Sequence, residues 1–284
     1  MSRKQKGPLI IIGGREELAE SGKRIILKEV TQCVSQHKKG LVIVTVATNL
    51  PEEIGADYVR AFMSLGIRHV EVLDIRTRDQ AFDADNIQLL SDACAIYFTG
   101  GDQLRITSQI GGTPLFQRML EIHQEGGVIA GTSAGAAAVP DTMLISGDGK
   151  ESPRVASLGM APGLGLLKGV VVDSHFAERG RLGRLLGAVA QNPSNLGIGI
   201  DENTAIVVEN EQRFRVLGSG AVYIIDGQHI SYSSLSEEDP QGSMSIHGTQ
   251  LHVLTAGDRY DLLQRQPLPP RKWKAAQQHQ EFTL

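Results

Sequence analysis

The residues best suited to chemistry in this sequence form the run Gly131-Thr132-Ser133-Ala134-Gly135, a serine enclosed by small residues. The run follows the apolar stretch 128–130 and precedes three alanines, which predicts a strand that turns tightly into a helix at the serine. Such a turn projects the hydroxyl out of the sheet, and the N–H groups at the start of the helix can stabilise an oxyanion. We therefore predict that Ser133 is a nucleophile, the alternative being a small-residue turn without chemistry.

A serine hydroxyl needs a neighbouring base because it is a weak nucleophile at neutral pH. Of the eight histidines, His175 stands out because it follows directly on a predicted parallel strand, residues 170–173. Open α/β sheets gather their sites at the carboxyl ends of their strands, where Ser133 is also expected. We predict that His175 is the base, the alternative being a hydrogen-bonded structural histidine.

An acid should orient the imidazole and stabilise its charged form. The apolar run 196–200 leads into Asp201 and Glu202, and from their positions either carboxylate could serve. The order along the chain is serine, histidine, acid, whereas an α/β-hydrolase has serine, acid, histidine. The order therefore argues against the commonest esterase fold.

Short β-branched runs alternate with helical patterns over the first 200 residues, and together they would position these side chains. The predicted parallel strands are residues 9–12, 41–46, 70–75, 95–99, 128–130 and 170–173. Apolar residues recur at helical spacing between them, as in residues 114–125. Continuous apolar strands separated by amphipathic helices predict an α/β fold, a mostly parallel sheet with helices on both faces.

The pattern changes after about residue 197. Residues 204–208 and 213–217 flank a polar turn and predict a hairpin, and the further candidate strands are 221–226, 228–232 and 251–254. We predict one hydrolytic domain over residues 1–284. It comprises a parallel core over about 1–200, an antiparallel extension over about 201–263 and a peripheral tail over about 264–284.

The composition indicates a soluble protein that needs no metal. A net charge of −4 gives no reason to expect nucleic acid as a partner. No run has the length of a membrane span or of a signal-peptide core, so we expect no membrane partner and a cytoplasmic location. Cys33 and Cys94 fit buried thiols, no Cys/His cluster has metal-ligand spacing, and Gly13-Gly14 fits no nucleotide loop. We therefore expect no metal and no cofactor.

Four segments together resemble the cyanophycinase family: residues 99–105, 131–136, 173–176 and 199–202, in the family's order. The family has a flavodoxin-like sheet and is related to aspartyl dipeptidase and the class I glutamine amidotransferases. Its members are serine peptidases that release β-aspartyl-arginine dipeptides from cyanophycin. This polymer is a polyaspartate whose side chains carry arginine through isopeptide bonds.

The resemblance implies a role for each matching residue. Ser133 is the nucleophile, His175 the base and Glu202 the acid, while the N–H groups of Gly101 and Ala134 form the oxyanion hole. The substrate pocket is lined by Gln103, Asp173, Ser174, Arg179, Arg181 and Arg184. Arginine forks suit the substrate carboxylate, and Asp173 and Gln103 suit its guanidinium, although a solvated helix face also explains the arginines. The resemblance further implies a homodimer.

One residue departs from the family pattern. Ser174 stands where the family usually has glutamine, so one substrate hydrogen bond of about 1 kcal/mol could be missing. Two other functions stay open beside the hydrolysis of cyanophycin. One is a related dipeptidase for aspartyl or isoaspartyl peptides, and the other is a non-catalytic relative that binds such ligands.

Overall fold

The computed structural model describes residues 6–35, 39–147, 158–235 and 243–269. A nine-stranded sheet forms its centre. The parallel part runs in the spatial order β3 (Val70–Leu73), β2 (Gly40–Val44), β4 (Ala93–Phe98), β5 (Val128–Thr132) and β1 (Leu9–Ile12). Every residue of β1, β2, β4 and β5 is buried, as expected for parallel strands that are covered on both faces.

Helices cover the two faces because neighbouring residues of a strand point to opposite sides. Ile10 and Ile12 pack with α1 (Ile25–Ser35) and α2 (Pro51–Ser64) on one face. On the other face, Leu9 and Ile11 belong to the core that includes the helices α4 (Gln103–Ile110), α5 (Pro114–Gln124) and α6 (Ala134–Ala137). The helix α3 (Ala84–Leu89) and a 3-10 helix, Arg78–Phe82, lie between β3 and β4 in the chain. The predicted α/β fold is confirmed.

Antiparallel strands continue the central sheet beyond β1. β10 (Thr204–Glu209) pairs with β1, and β11 (Arg213–Gly218), β16 (Arg259–Asp261) and β17 (Gln266–Leu268) follow. The predicted hairpin is therefore present. The tail predicted from residue 264 begins as an edge strand, and residues 270–284 lie outside the described part of the chain.

A second sheet lies beside the first, in the order β15 (Gln250–Leu254), β12 (Val222–Asp226), β9 (Leu196–Ile200) and β8 (Val170–Ser174). β8 and β9 are parallel and are connected through α7 (Leu182–Gln191), which packs on β9. The expectation that residues 170–173 join the central sheet is wrong. Because β10 occupies the position beside β1, the central sheet has no free edge there.

Two short hairpins complete the described chain. One pairs β6 (Thr142–Ser146) with β7 (Gly159–Pro162), so the predicted parallel core also contains an antiparallel element. The other pairs β13 (Tyr232–Ser233) with β14 (Ile246–His247). The predicted strand 228–232 is wrong except at its last residue, because Asp226 accepts the N–H of Gln228 and closes a turn. None of the described helices has the length and apolarity to cross a bilayer.

Arg265 joins the two sheets. It precedes β17 of the central sheet, and its Nη1 donates to Asp226 Oδ1 of the second sheet at 2.8 Å. A second guanidinium nitrogen donates to the carbonyl oxygen of Ser194, in the loop before β9. The side chain of Asp226 is only 3% exposed, so its charge depends on this partner.

We predict that Arg265→Ala lowers the free energy of unfolding by about 3 kcal/mol, because it leaves a buried carboxylate without its cation. Urea denaturation followed by circular dichroism measures the change. Arg259→Ala is the matched control, since this half-buried arginine of β16 has no side-chain acceptor among the described residues. Equal losses in the free energy of unfolding for the two variants would show that the ion pair with Asp226 does not stabilise the fold.

Candidate active site

Ser133 occupies a strained turn between β5 and α6. Its φ of 53° and ψ of −111° are unusual for a residue with a side chain, and they direct the chain sharply from strand to helix. The turn needs small neighbours, because a Cβ on Gly135 would lie 2.5 Å from the carbonyl oxygen of Phe98. The tight turn predicted from the sequence is present.

A hydrogen-bonded chain runs from Ser133 through His175 to Glu202. The Oγ of Ser133 lies 2.8 Å from Nε2 of His175, and Nδ1 of His175 lies 2.7 Å from Oε1 of Glu202. A carboxylate only accepts hydrogen bonds, so Nδ1 carries the proton and Nε2 of the neutral ring accepts from the serine hydroxyl. The ring is thus oriented to take the serine proton.

The two carboxylates left open by the sequence have different partners. Asp201 is buried, and its oxygens accept the N–H groups of Ala177 at 2.9 Å and Ala221 at 3.0 Å. It therefore connects the turn after His175 with β12. Glu202 is the carboxylate that contacts the imidazole.

Burial sets the protonation of His175. Loss of solvent lowers the pKa of this histidine below its ordinary value of 6.5, and the hydrogen bond that it donates to Glu202 opposes this effect. The positive charges of Arg179 and Arg181 lower the pKa further. Neutral imidazole, the form that can act as a base, is therefore favoured at neutral pH.

Gly101 and Ala134 have backbone N–H groups with no acceptor in the described part of the chain. The preceding residue Gly100 lies against Ser133, since a Cβ placed on it would be 3.3 Å from the Cβ of the serine. Gly101 has a φ of 140°, and a side chain there would collide with the carbonyl oxygen of Ala47. Both N–H groups are thus available near the serine hydroxyl.

Asp173, Arg181 and Arg184 form an internal ion cluster. Asp173 Oδ1 accepts from Nη1 of Arg181 at 3.0 Å, and Oδ2 accepts from Nε of Arg184 at 2.6 Å. The arginine side chains are only 14% and 11% exposed, so they do not form a solvated helix face. The carboxylate of Asp173 is occupied by these two cations.

The remaining predicted pocket residues differ in whether their polar groups already have hydrogen-bond partners within the protein. Gln103 donates through Nε2 to the carbonyl oxygen of Leu144 at 2.7 Å. Ser174 is buried at the end of β8. Arg179 is exposed, and its guanidinium has no partner among the described residues. Of the three predicted arginines, it is the one whose guanidinium makes no hydrogen bond to the described residues.

The segment after β1 belongs to the site, although the motifs in the sequence did not predict it. The carbonyl oxygens of Ile12, Gly13 and Gly14 accept the N–H groups of Ser133 at 3.0 Å, His175 at 2.8 Å and Asn203 at 2.8 Å. Three successive carbonyls thus hold the serine, the histidine and the residue after Glu202. The available signal was a Gly-Gly pair at the end of the first strand, on the predicted edge of the site.

Gly14 also makes room for the imidazole. A Cβ on this residue would lie 2.4 Å from Cε1 of His175, and its φ of 105° is in the region that favours glycine. The next residue, Arg15, lies with Nη1 at 3.4 Å from Oε2 of Glu202, but its side chain is 75% exposed. The following residue, Glu16, is buried.

Comparisons with known proteins give one family. The model of peptidase family S51 matches residues 9–216. The chain is 38% identical over 269 residues to the cyanophycinase of Geminocystis herdmanii, covering 94% of this chain and 98% of the relative. It is 38% identical over 267 residues to the cyanophycinase of Trichormus variabilis, covering 93% and 88%. The crystal structure of a peptidase from an acI-B1 actinobacterium has the same fold, with a TM-score of 0.68, 24% identity and coverage of 92% and 98%.

The different partners of the two carboxylates lead to a prediction about stability. Asp201→Asn should lower the free energy of unfolding by about 2–3 kcal/mol, because an amide group would face one of the two N–H donors. Glu202→Gln should change it by less than about 1 kcal/mol, since Glu202 is partly solvated and keeps an oxygen for His175. Urea unfolding of both variants measures this, and a larger loss for Glu202→Gln would contradict the assignment.

Proposed function

The chain belongs to peptidase family S51, and we propose that it is a serine-type cyanophycinase, which hydrolyses cyanophycin to β-Asp-Arg dipeptides through Ser133, His175 and Glu202. The observation that carries this proposal is the unbroken hydrogen-bonded chain between these three side chains. The cyanophycinases among the relatives, together with the four sequence motifs, support the assignment of cyanophycin as the substrate. The homodimer, the cytoplasmic location and a single hydrolytic domain are further parts of the proposal.

The first half-reaction forms an acyl-enzyme. His175 takes the proton of Ser133 through Nε2 while Oγ attacks a carbonyl carbon of the polyaspartate backbone. The N–H groups of Gly101 and Ala134 donate to the oxygen that becomes negative. Glu202 stabilises the imidazolium that forms. His175 then gives its proton to the departing backbone nitrogen, which breaks the peptide bond.

The second half-reaction restores the enzyme. A water molecule loses a proton to His175 and attacks the ester carbonyl, and the same two N–H groups stabilise the second tetrahedral intermediate. When this intermediate collapses, His175 returns the proton to Ser133. The products are a new carboxylate and the free serine.

The charges near the site suit the substrate. Each β-Asp-Arg unit carries a carboxylate on its arginine, and the free guanidinium of Arg179 is the group best placed to bind it. Arg181 and Arg184 form ion pairs with Asp173. Their positive charge still contributes to the electrostatic potential of the pocket. A substrate guanidinium must therefore compete with these two arginines if it binds Asp173.

We predict that the parent protein releases β-Asp-Arg from insoluble cyanophycin and that Ser133→Ala does not. The reason is that the variant lacks the attacking oxygen while the rest of the fold is retained. Mass spectrometry of the supernatant identifies the product. In a separate experiment, light scattering of the purified protein tests whether it is a homodimer. Release of the dipeptide by both proteins would exclude Ser133 as the nucleophile.

Failure of the parent to release the dipeptide has two explanations that one variant distinguishes. Ser174→Gln restores the residue that is usual in the family, so release by this variant would assign the failure to Ser174. A panel of aspartyl and isoaspartyl dipeptides tests the dipeptidase alternative. Labelling of Ser133 by a fluorophosphonate tests the non-catalytic alternative, since a binding protein without an activated serine would not react.

We also predict an acid limb in the pH profile of kcat/KM, measured on a soluble cyanophycin peptide. The reaction needs neutral His175, so the rate falls as the pH drops through the pKa of this histidine. Burial lowers that pKa, so the midpoint should lie below pH 6.5. Glu202→Gln removes the interaction that raises the pKa most. The midpoint should therefore move to a lower pH, and the plateau should fall by up to about 10⁴-fold. A midpoint above 6.5 in the parent would contradict this account.

A further inference from the structure

Glu16 is a buried carboxylate that the proposed mechanism does not use. It is 5% exposed and lies two residues after Gly14, in the segment whose carbonyls hold Ser133 and His175. Its Oε1 accepts from the hydroxyl of Tyr58 at 2.5 Å and from that of Tyr97, and its Oε2 accepts from Oγ1 of Thr132 at 2.7 Å. Three hydroxyl groups thus converge on one carboxylate.

Both tyrosine hydroxyls are protonated and can donate to Glu16. Burial, followed by the charge of Glu16, raises the pKa of both Tyr58 and Tyr97 well above the ordinary value of 10, so both hydroxyls keep their protons. Hydrogen bonds between a hydroxyl and a carboxylate are short and strong. The tyrosine rings also pack on each other, with centroids 4.9 Å apart, which fixes the direction of the hydroxyls.

The third hydroxyl connects this cluster to the candidate active site. Thr132 is the last residue of β5 and directly precedes Ser133. Glu16 therefore fastens the segment after β1 to the strand that carries the serine. Gly13 of the same segment accepts the N–H of His175, so hydrogen bonds connect Glu16 through the backbone to the histidine as well as to the strand of the serine.

Stability alone gives little reason for a carboxylate at this place. No cationic side chain of the described residues pairs with Glu16, and an uncompensated buried charge costs free energy that an apolar side chain would not. What the carboxylate supplies is two oxygens that hold three groups from different parts of the chain: Tyr58 in α2, Tyr97 in β4 and Thr132 in β5.

We propose that Glu16 is a positioning residue, which sets the distance between Ser133 and His175 by fastening the segment after β1 to Thr132. This inference rests on the proposed function, because it assumes that Ser133 is the nucleophile. Glu16 does not touch the reacting atoms. It acts through Thr132 on one side and through Gly13 and Gly14 on the other.

The test uses Glu16→Gln and Thr132→Val in the full chain, with Glu20→Gln as a matched control for the loss of a carboxylate on the same loop. Glu20 is exposed and has no side-chain partner among the described residues. We expect kcat on a soluble cyanophycin peptide and the rate of fluorophosphonate labelling to fall by about 10- to 100-fold in both variants. KM and the pH midpoint should stay unchanged, because the substrate pocket and the groups that set the pKa of His175 are retained. The control should behave like the parent.

The double variant distinguishes positioning from a general loss of stability. If Glu16 acts through Thr132, Glu16→Gln combined with Thr132→Val should cost no more in kcat than the worse single variant. Thr132→Val keeps the shape of the side chain, so this arm remains informative if Glu16→Gln folds poorly. A lower Tm with unchanged kcat and labelling in both single variants would overturn the proposal. If the parent itself does not react with the fluorophosphonate, it is the proposed function that fails.

Discussion

Three successive carbonyl groups at the end of β1 are the constraint on which the site depends. They belong to Ile12, Gly13 and Gly14, and they accept the N–H groups of Ser133, His175 and Asn203. The serine follows a strand of the central sheet, whereas the histidine and the glutamate follow strands of the second sheet. The two sheets share no hydrogen-bonding ladder among the described residues, and at the site these backbone hydrogen bonds connect them. Small residues are required there because the imidazole packs directly against the backbone of Gly14.

Much of this arrangement can be predicted from the sequence, for reasons that are local. The turn at Ser133 is indicated by the small residues around it, and the parallel strands by continuous apolar runs. The assignment of β8 and β9 to a second sheet could not be predicted, because their apolar pattern fits a buried parallel strand in either sheet. The choice between Asp201 and Glu202 also needs the structure, since neighbouring residues after a strand point in different directions. The role of Glu16 could not be predicted either, because its three hydrogen-bond partners are 42, 81 and 116 residues away in the sequence.

The two buried carboxylates near the site, Asp173 and Glu16, have different kinds of partner. Asp173 is neutralised by Arg181 and Arg184, which keeps a carboxylate beside the histidine without leaving it unpaired. Glu16 has hydroxyl groups in place of cations. His175 itself loses solvent on burial, which lowers its pKa and favours the neutral ring that a base near neutral pH requires.

The pairing of β1 with β10 has a consequence for the biosynthesis of the protein. A chain emerging from the ribosome presents β1 first, but the partners of its last carbonyls lie at residues 133, 175 and 203. The parallel strands can associate as they appear, while one side of β1 stays open until residues 204–209 have been made. Contacts over such separations form slowly because a long loop must close first. The nascent chain is therefore inactive until Glu202 has been synthesised, and until β10 follows, its open edge strand can pair with other chains.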